Sequence, residues 1–463
     1  MKYVSTRGRA PVLGFDDVVL TGLASDGGLY VPESWPVLAP DRFRELAGRP
    51  YPEVATAVMW PFVEGSLDRD ALGALVAEAY ATFDEPEVCP LVDLGDGLRL
   101  LELFHGPTLA FKDVALQVLG RLFDRFLSDR GERRTIVVAT SGDTGSAAIE
   151  ACRGRAALDI VVLFPEGRIS DVQRRLMTTV PDANVTCAAV AGTFDDCQDL
   201  VKDLLGDVDL RDRLGLSAMN SINWGRVVAQ AAYYVTAGLA LGTPEQAAAF
   251  VVPTGNFGNV LSGDVARRLG LPVERLVLAT NRNDGLHRFL TTGELVRAEV
   301  HPTSSPAMDV SAPSNVERLL FELAERNAPV VAGALDRCRA EGRLAIEPLQ
   351  LAEARRGFAS ARVDDDGVAA TIARTYERTG RLVDPHTAVG LRAAEVAGPP
   401  PGVPLVAMAT AHPAKFPEAV EAATGVRPAL PARLADLHER PERATPVAND
   451  LDAVRSLVLE GAG

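Results

Sequence analysis

The chain has 463 residues, enough for roughly three domains, and its 47% hydrophobic and 24% charged residues give it an ordinary globular composition with an ample core. The net charge of −15 argues against a nucleic-acid-binding surface but leaves room for a local basic pocket that holds a small anion. Five scattered cysteines without a CxxC pair argue against a disulfide framework and a zinc site. Because we find no signal-peptide core and no membrane-length apolar run, we expect a cytoplasmic protein without a metal.

The first part of the chain, residues 1–95, is predicted to form a mostly helical amino-terminal domain. A short amphipathic segment begins at Phe15, and helices are expected at 53–64 and 69–82. The proline-containing stretch 84–90 is a candidate boundary to the next domain.

The region 96–425 alternates between short apolar runs and stretches of helical period. We predict strands at 136–139, 160–164, 185–190, 250–253, 276–279 and 405–409, and helices at 144–153, 171–180, 194–205, 225–241, 258–268 and 314–325. Such alternation predicts an α/β fold with parallel sheets covered on both faces. One α/β subdomain is expected at about 130–225, and residues 426–463 form a C-terminal extension. Ligands of parallel sheets bind beyond the carboxyl ends of the strands, where this chain has unusual loops.

Lys112 lies between a Gly-Pro turn and an apolar helical pattern, at a junction where its side chain can reach a cleft. Only four of the 47 basic residues are lysines, so a lysine here suggests a need for an amine. A desolvated lysine can lose its proton and attack a carbonyl, which arginine cannot do. The alternative is an ordinary lysine whose stem packs on the helix and whose ammonium reaches water.

Two glycine loops follow predicted strands and lead into helices. In the loop 139–148, Ser141, Gly142, Asp143 and Thr144 could surround a carboxylate or phosphate, although these residue types also cap helices without a ligand. In the loop 253–260, Gly255, Asn256, Phe257, Gly258 and Asn259 could hold a single phosphate, or form only a tight turn. The second loop matches neither GxGxxG nor a Walker loop, so a dinucleotide or ATP is not supported.

Two later stretches carry further candidates. His386 follows Asp384-Pro385, and Thr410 and Lys415 lie in the segment 409–417 after the last predicted strand. A turn histidine is more often structural than catalytic. The isolated amine, the phosphate-type loop and the carboxylate-type loop together suggest an aldehyde cofactor with one phosphate and an amino-acid substrate. Pyridoxal 5′-phosphate meets this description, and lysine is its usual anchor.

Several of these stretches resemble the threonine synthase family in its longer form. The resemblance rests on Glu102-Leu-Phe-His-Gly-Pro-Thr-Leu-Ala-Phe-Lys-Asp, Thr140-Ser-Gly-Asp-Thr-Gly, Gly255-Asn-Phe-Gly-Asn, Ser305-Pro-Ala-Met-Asp, Asp384-Pro-His-Thr-Ala, Thr410-Ala-His-Pro-Ala-Lys-Phe and Leu23 to Pro32. It covers nearly the whole chain in order. It implies a fold type II pyridoxal-phosphate enzyme, like the tryptophan synthase β chain, with two α/β subdomains and the extra N-terminal domain.

The resemblance also implies roles for the candidate residues. Lys112 bonds covalently to the cofactor, residues 255–259 hold its phosphate, and Thr410 faces its ring nitrogen. Residues 141–144 lie by the substrate carboxylate or the cofactor O3′, and relatives with other substrates carry asparagine in the loop that corresponds to Asp143. The substrate phosphate needs cationic or N–H donors, for which we select Lys415, with Arg282 and His386 as further candidates.

The implied reaction converts O-phospho-L-homoserine and water to L-threonine and phosphate, the last step of threonine biosynthesis, by a carbon–oxygen lyase. Lys112 acts as the base for several protons in turn. Two alternatives stay open: another enzyme of this fold, such as a serine or threonine dehydratase or a cysteine-forming synthase, and a non-catalytic homologue. The oligomeric state is left as monomer or homodimer.

Overall fold

Two separate, mainly parallel sheets organise the computed structural model, which describes residues 1–461. Residues 462 and 463, the end of the predicted C-terminal extension, lie outside the described residues. The strands are β1 (Tyr3–Ser5), β2 (Tyr30–Pro32), β3 (Leu91–Gly95), β4 (Leu98–Glu102), β5 (Arg134–Ala139), β6 (Leu158–Pro165), β7 (Val185–Val190), β8 (Ala248–Pro253), β9 (Val273–Thr280), β10 (Glu294–Val296), β11 (Arg343–Ala345), β12 (Phe358–Arg362), β13 (Leu405–Ala409) and β14 (Thr445–Val447).

Helices connect and cover these strands. They are α1 (Phe15–Thr21), α2 (Pro40–Leu46), α3 (Tyr51–Val63), α4 (Arg69–Tyr80), α5 (Lys112–Arg130), α6 (Asp143–Cys152), α7 (Asp171–Thr178), α8 (Phe194–Gly206), α9 (Val208–Leu214), α10 (Trp224–Ala240), α11 (Gly258–Arg268), α12 (Gly285–Thr292), α13 (Val316–Leu323), α14 (Ala328–Glu341), α15 (Pro348–Gly357), α16 (Asp365–Thr379), α17 (Pro385–Ala397), α18 (Pro417–Thr424) and α19 (Leu451–Gly461). Short 3₁₀ turns occupy Pro306–Met308, Pro413–Lys415 and Ala432–Leu434. Within residues 1–461 no helix combines the length and apolarity needed to cross a bilayer.

The larger sheet has six strands in the order β12-β9-β8-β13-β4-β3. All its pairs are parallel except the hairpin of β3 with β4. The predicted boundary after residue 95 falls inside this hairpin, and the domain boundaries stay predictions. Since β8 and β13 are neighbours, the loops that follow them emerge at one edge, where ligands of such sheets bind.

The smaller sheet has the order β14-β7-β6-β5, all parallel. Its strand residues alternate between two apolar layers, as the two-residue period of a strand requires. Ile136 and Val138 pack with α6, whereas Val137 and Val161 pack with α8 and α19. Burial on both faces explains why these strands are almost uninterrupted apolar runs.

The predicted parallel sheets are confirmed, and each of the six predicted strands and eight predicted helices overlaps an observed element. Strands β4 and β12 were not predicted, because their residues mix apolar and charged side chains. The short β14 was also missed, because only long-range pairing with β7 makes it a strand.

Candidate active site

Lys112 is the first residue of α5, directly after a tight turn, as predicted. The turn is fixed by Asp113, whose carboxylate accepts hydrogen bonds from the Thr108 N–H at 2.8 Å and the Thr108 hydroxyl at 2.6 Å. Leu109 adopts a left-handed φ of 64° within it. The turn therefore sets the start of the helix and directs the Lys112 side chain into the interior, where only 9% of it is exposed.

Asp143 lies between two buried lysines. Its Oδ2 is 3.2 Å from Lys112 Nζ, and its Oδ1 is 2.7 Å from Lys415 Nζ. Burial alone would raise the pKa of Asp143, but the charges of Lys415 and Lys112 outweigh it and hold that pKa well below the ordinary value. Burial lowers the pKa of Lys112, and the Asp143 charge only partly opposes this shift. The site thus holds one carboxylate, two amines and a lysine that gives up its proton more readily than usual.

The loop that presents Asp143 depends on Gly142. This residue has a φ of 126°, which L side chains rarely adopt, and a Cβ there would lie 2.6 Å from the Gln173 side chain. Gln173, on α7, donates its amide N–H to Asp143 Oδ1 at 3.0 Å. The glycine allows this close approach, and the hydrogen bond orients the carboxylate.

The same loop offers donors that nothing in residues 1–461 uses. The backbone N–H groups of Ser141, Asp143 and Thr144 have no acceptor there, and neither hydroxyl of Ser141 or Thr144 has a hydrogen-bond partner. In contrast, Gly142 and Gly145 donate their N–H groups to Thr140 Oγ1, both at 2.9 Å. Unpaired N–H groups at a helix start are suited to bind a carboxylate.

The glycine loop after β8 is a second set of unused donors. The six N–H groups of residues 255–260 have no acceptor within the described part of the chain. Phe257 has a left-handed φ of 63°, which turns the chain so that α11 starts at Gly258. A Cβ on Gly255 would lie 2.7 Å from the Ala307 carbonyl oxygen, so this glycine also lets the 3₁₀ turn at 306–308 pack closely.

Asn259, in the first turn of α11, carries a buried side-chain amide. Its Oδ1 accepts hydrogen bonds from the hydroxyls of Tyr233 at 2.6 Å and Tyr234 at 2.9 Å, which fixes the amide orientation. Its Nδ2 is buried without any partner within residues 1–461. An unpaired buried donor is costly, so the loop is built to receive an acceptor such as a phosphate oxygen.

Contacts between the loops bring most of the predicted residues together. The Phe111 N–H donates to the Thr410 carbonyl at 2.9 Å, which places Thr410 beside the Lys112 turn. The Thr410 hydroxyl has no hydrogen-bond partner in the described chain. The turn that contacts Gly255 also reaches His386, since the Ala307 N–H donates to His386 Nε2 at 3.2 Å.

The three residues predicted to bind a substrate phosphate differ in their surroundings. Lys415 is fully buried, and besides Asp143 its ammonium donates to the Thr108 carbonyl at 2.8 Å. His386 uses both ring nitrogens, because its Nδ1 lies 2.6 Å from Asp384 Oδ2 and its Nε2 accepts from Ala307. Arg282 is exposed in the loop after β9 and forms no hydrogen bond or ion pair within residues 1–461. Their roles stay predictions.

Sequence reasoning missed Arg226, which is 4% exposed in the first turn of α10. Its Nη1 donates to the Met219 carbonyl at 3.3 Å, but within residues 1–461 its Nε is buried without a partner and no carboxylate pairs with it. Burial lowers its pKa to about 10, and its charge contributes to the lowered pKa of Lys112. A charged residue inside the apolar run 224–229 was the available signal, the same kind that singled out Lys112.

Comparison with known proteins gives a consistent result along the chain. Family models match at residues 2–80 (threonine synthase N terminus), 93–347 (pyridoxal-phosphate dependent enzyme) and 387–458 (threonine synthase, C-terminal). The chain is 51% identical to a threonine synthase of Pseudomonas aeruginosa, over 99% of this chain and 98% of that one.

Solved structures agree with this result. A pyridoxal-phosphate-bound threonine synthase from Brucella melitensis superposes with a TM-score of 0.98 at 50% identity, over 100% of this chain and 99% of that one. The yeast threonine synthase superposes with a TM-score of 0.95 at 37% identity, over 99% and 98%. The predicted fold type is confirmed.

The site fits the cofactor named in these comparisons. The six unused N–H groups and the Asn259 Nδ2 suit its phosphate, and the buried Lys112 suits its aldehyde. The resemblance noted in the sequence is also confirmed: this chain belongs to the threonine synthase family of pyridoxal-phosphate-dependent enzymes.

Proposed function

We propose that this enzyme converts O-phospho-L-homoserine and water to L-threonine and inorganic phosphate, with pyridoxal 5′-phosphate as its cofactor. The observation that carries the proposal is the arrangement at Lys112: a buried amine of lowered pKa, held by a carboxylate, in a chain 51% identical to a threonine synthase. The chemistry needs an amine that can lose and regain a proton at neutral pH.

We assign the cofactor to the loops with unused donors. The N–H groups of residues 255–259 and the Asn259 amide would hold its phosphate, Lys112 would bond to its aldehyde, and Thr410 would lie by the ring nitrogen. When bound, the cofactor supplies an electron-accepting ring that stabilises negative charge on the substrate. A hydroxyl at Thr410, instead of a carboxylate, does not favour a protonated ring nitrogen.

Residues of the chain then bind the substrate and move its protons. The N–H groups and hydroxyls around Ser141 and Thr144 hold the substrate carboxylate, with Gly142 and Asp143 completing the loop. The Lys112 amine accepts and returns protons, since burial keeps a larger fraction of it unprotonated. Asp143 holds that amine in place through its hydrogen bond.

For the leaving phosphate we propose Arg226 as the principal ligand. Its guanidinium is buried, near enough to Lys112 to affect the pKa of that residue, and lacks a counterion within residues 1–461. An unpaired buried cation is unfavourable until an anion arrives, and a guanidinium matches phosphate geometry. The Lys415 charge is already balanced by Asp143, so Lys415, His386 and the exposed Arg282 are weaker candidates.

A direct assay tests the proposed reaction. The purified protein, loaded with pyridoxal phosphate, is incubated with O-phospho-L-homoserine, and phosphate and threonine are measured. A parallel incubation with serine or threonine alone measures keto acid. Equal release of phosphate and threonine is expected. Keto acid from serine without phosphate release would instead identify a dehydratase, and no product together with no cofactor absorbance would indicate a non-catalytic homologue.

The remaining expectations are proposals as well. The enzyme is expected in the cytoplasm as a monomer or homodimer, acting on a small-molecule substrate and binding no nucleic acid. Sedimentation of the purified protein tests its oligomeric state.

A further inference from the structure

The C-terminal extension has a part that runs between two elements of the active site. We call residues 431–443 the strap. On one side it contacts the turn 106–109, which precedes Lys112. On the other side it contacts α7, which carries Gln173.

Arg433 attaches the strap to the turn. Its Nη1 donates to the Pro107 carbonyl at 2.8 Å, its Nη2 donates to the Gly106 carbonyl at 2.5 Å, and its Nε pairs with Asp84. The guanidinium therefore holds two successive carbonyls of the turn, five and six residues before the lysine.

Glu442 attaches the strap to α7. Its carboxylate accepts two hydrogen bonds from Arg174, at 2.8 and 2.9 Å, and one from the Thr178 hydroxyl at 2.7 Å. The next residue, Arg443, donates its N–H to the Thr178 carbonyl at 2.6 Å. A bidentate pair of this kind fixes orientation as well as distance.

An apolar cluster fills the space between these two attachments. Leu434 and Leu437 of the strap are buried against Leu109 of the turn and Val172 and Leu176 of α7. Leu437 is completely buried. One cluster thus joins three segments that lie far apart in the sequence.

The turn 106–109 and α7, which the strap contacts, also position the group formed by Lys112, Asp143 and Lys415. The turn supplies the Thr108 carbonyl that accepts from Lys415 at 2.8 Å. From α7, Gln173 donates to Asp143 at 3.0 Å, and Ser170, the residue that caps this helix, donates its hydroxyl to the Lys415 carbonyl at 3.0 Å. The catalytic lysine and its carboxylate are therefore positioned from opposite sides by elements that the strap ties together.

We propose that the strap is a positioning element of the active site, which sets the distance between Lys112 and Asp143 through Arg433 and Glu442. The proposal rests on the proposed function, because it assigns the strap a role in that reaction. A strap that only covered apolar surface would affect stability without affecting turnover per folded molecule.

The test compares Arg433→Ala and Glu442→Gln with the matched controls Arg427→Ala and Glu421→Gln. Arg427 and Glu421 form an ion pair with each other at 2.7 Å, precede the strap in the sequence, and have no hydrogen bond or ion pair with the turn or α7 among the described residues. Three properties of the full-length holoenzyme are measured. They are turnover with O-phosphohomoserine, affinity for pyridoxal phosphate, and hydrogen–deuterium exchange of residues 106–116 and 171–178.

We expect kcat to fall about ten- to a hundredfold in the strap variants, because small displacements of a catalytic group cost rate. Exchange should rise in both segments, KM should change less than kcat, and Arg433→Lys should recover part of the rate. The controls should resemble the wild type. If Arg433→Ala does not fold, Glu442→Gln decides, since its side chain is partly exposed.

Folded strap variants with wild-type kcat and wild-type exchange would overturn the proposal, and so would equal losses in the controls. Failure of the proposed function gives a different pattern. The wild type would then release no phosphate, while exchange and cofactor affinity would still show whether the strap holds the two segments.

Discussion

Two buried cationic regions of the molecule, the Lys112–Lys415 pair and Arg226, differ in how their charges are balanced. Lys112 and Lys415 share the carboxylate of Asp143, which lies within 3.2 and 2.7 Å of their ammonium groups. Arg226 has one carbonyl contact at 3.3 Å, no carboxylate and an orphan Nε among the described residues. In the first region Asp143 contacts both ammonium groups, whereas no carboxylate within residues 1–461 pairs with Arg226.

This difference in charge partners corresponds to two proposed roles: the lysine pair positions the reactive amine, and Arg226 binds an anion. Both lysines already bind the Asp143 carboxylate, so we expect this pair to hold Lys112 in place rather than to bind a substrate phosphate. An unpaired buried guanidinium lowers the stability of the unliganded protein. Binding of an anionic ligand to it raises that stability again. Charge count alone could not distinguish these roles, but the partners of each cation do.

The largest effect is expected when the reactive amine of the paired region is removed. Lys112→Ala should lower kcat by about 10⁴-fold, the upper end for loss of a general base, and should abolish covalent attachment of the cofactor. Steady-state phosphate release and the visible absorbance of the protein measure both. The exposed Lys202→Ala is the control. Normal activity in Lys112→Ala would refute the assignment.

Arg226→Met tests the unpaired region. We expect kcat/KM to fall about a hundredfold, corresponding to about 3 kcal/mol, because a buried charge partner of the substrate phosphate is lost. The stability of the unliganded protein should stay the same or rise, since an unpaired buried charge disappears.

The matched control for Arg226 is Arg318, an equally buried arginine whose donors reach the Tyr30 and Ile222 carbonyls and Asn315 Oδ1. Arg318→Met should destabilise the protein in thermal unfolding, because three buried acceptors lose their donors. If Arg226→Met were the more destabilising of the two, the comparison would fail.

Asp143→Asn removes the carboxylate that lies between Lys112 and Lys415. It leaves the buried Lys415 without its counterion, and we expect a loss of about 3–5 kcal/mol in the free energy of unfolding. The double variant Asp143→Asn/Lys415→Met should recover part of this loss in urea denaturation. Additive losses in the double variant would mean that the two residues act independently.

The same substitution has a predicted pH effect. The Asp143 charge raises the pKa of Lys112 against the dominant effect of burial, so its removal should lower that pKa further. The acid limb of the kcat profile, which reports the enzyme–substrate complex in which the Lys112 amine acts as the base, should therefore move to lower pH. A shift to higher pH would show that Asp143 does not interact with Lys112 in this way.

The smallest effect is expected at the glycine loop, whose residues 255–259 carry no charged side chain. A Cβ at Gly258 would meet Asn315 Nδ2 only at 3.4 Å, so Gly258→Val should fold and weaken cofactor affinity about tenfold. Gly255→Val should also lose stability, because its Cβ would lie 2.7 Å from the Ala307 carbonyl oxygen. Equilibrium titration with pyridoxal phosphate and thermal unfolding separate these outcomes.

The sequence was sufficient for features that local chemistry determines. Rare lysines, glycine loops after apolar strands and helical periods placed Lys112, the loop at 255–259 and both parallel sheets. The residues around 141–144 were found in the same way. Each of these signals lies within about ten residues of the feature it predicts.

Features set by long-range contacts could not be predicted in this way. Lys415 looked like a free cation because its partner, Asp143, lies 272 positions away in the chain. Arg226 was hidden among many arginines, most of which pair on the surface, and the strap residue Arg433 acts on a turn 326 positions earlier. Which charges are balanced is decided by the tertiary structure.

The most direct test of the account is to locate the cofactor on the chain. Borohydride reduction of the holoenzyme followed by peptide mass spectrometry should place the added mass on the peptide containing Lys112. Modification of Lys415, the other lysine on Asp143, or of no lysine at all, would contradict the account.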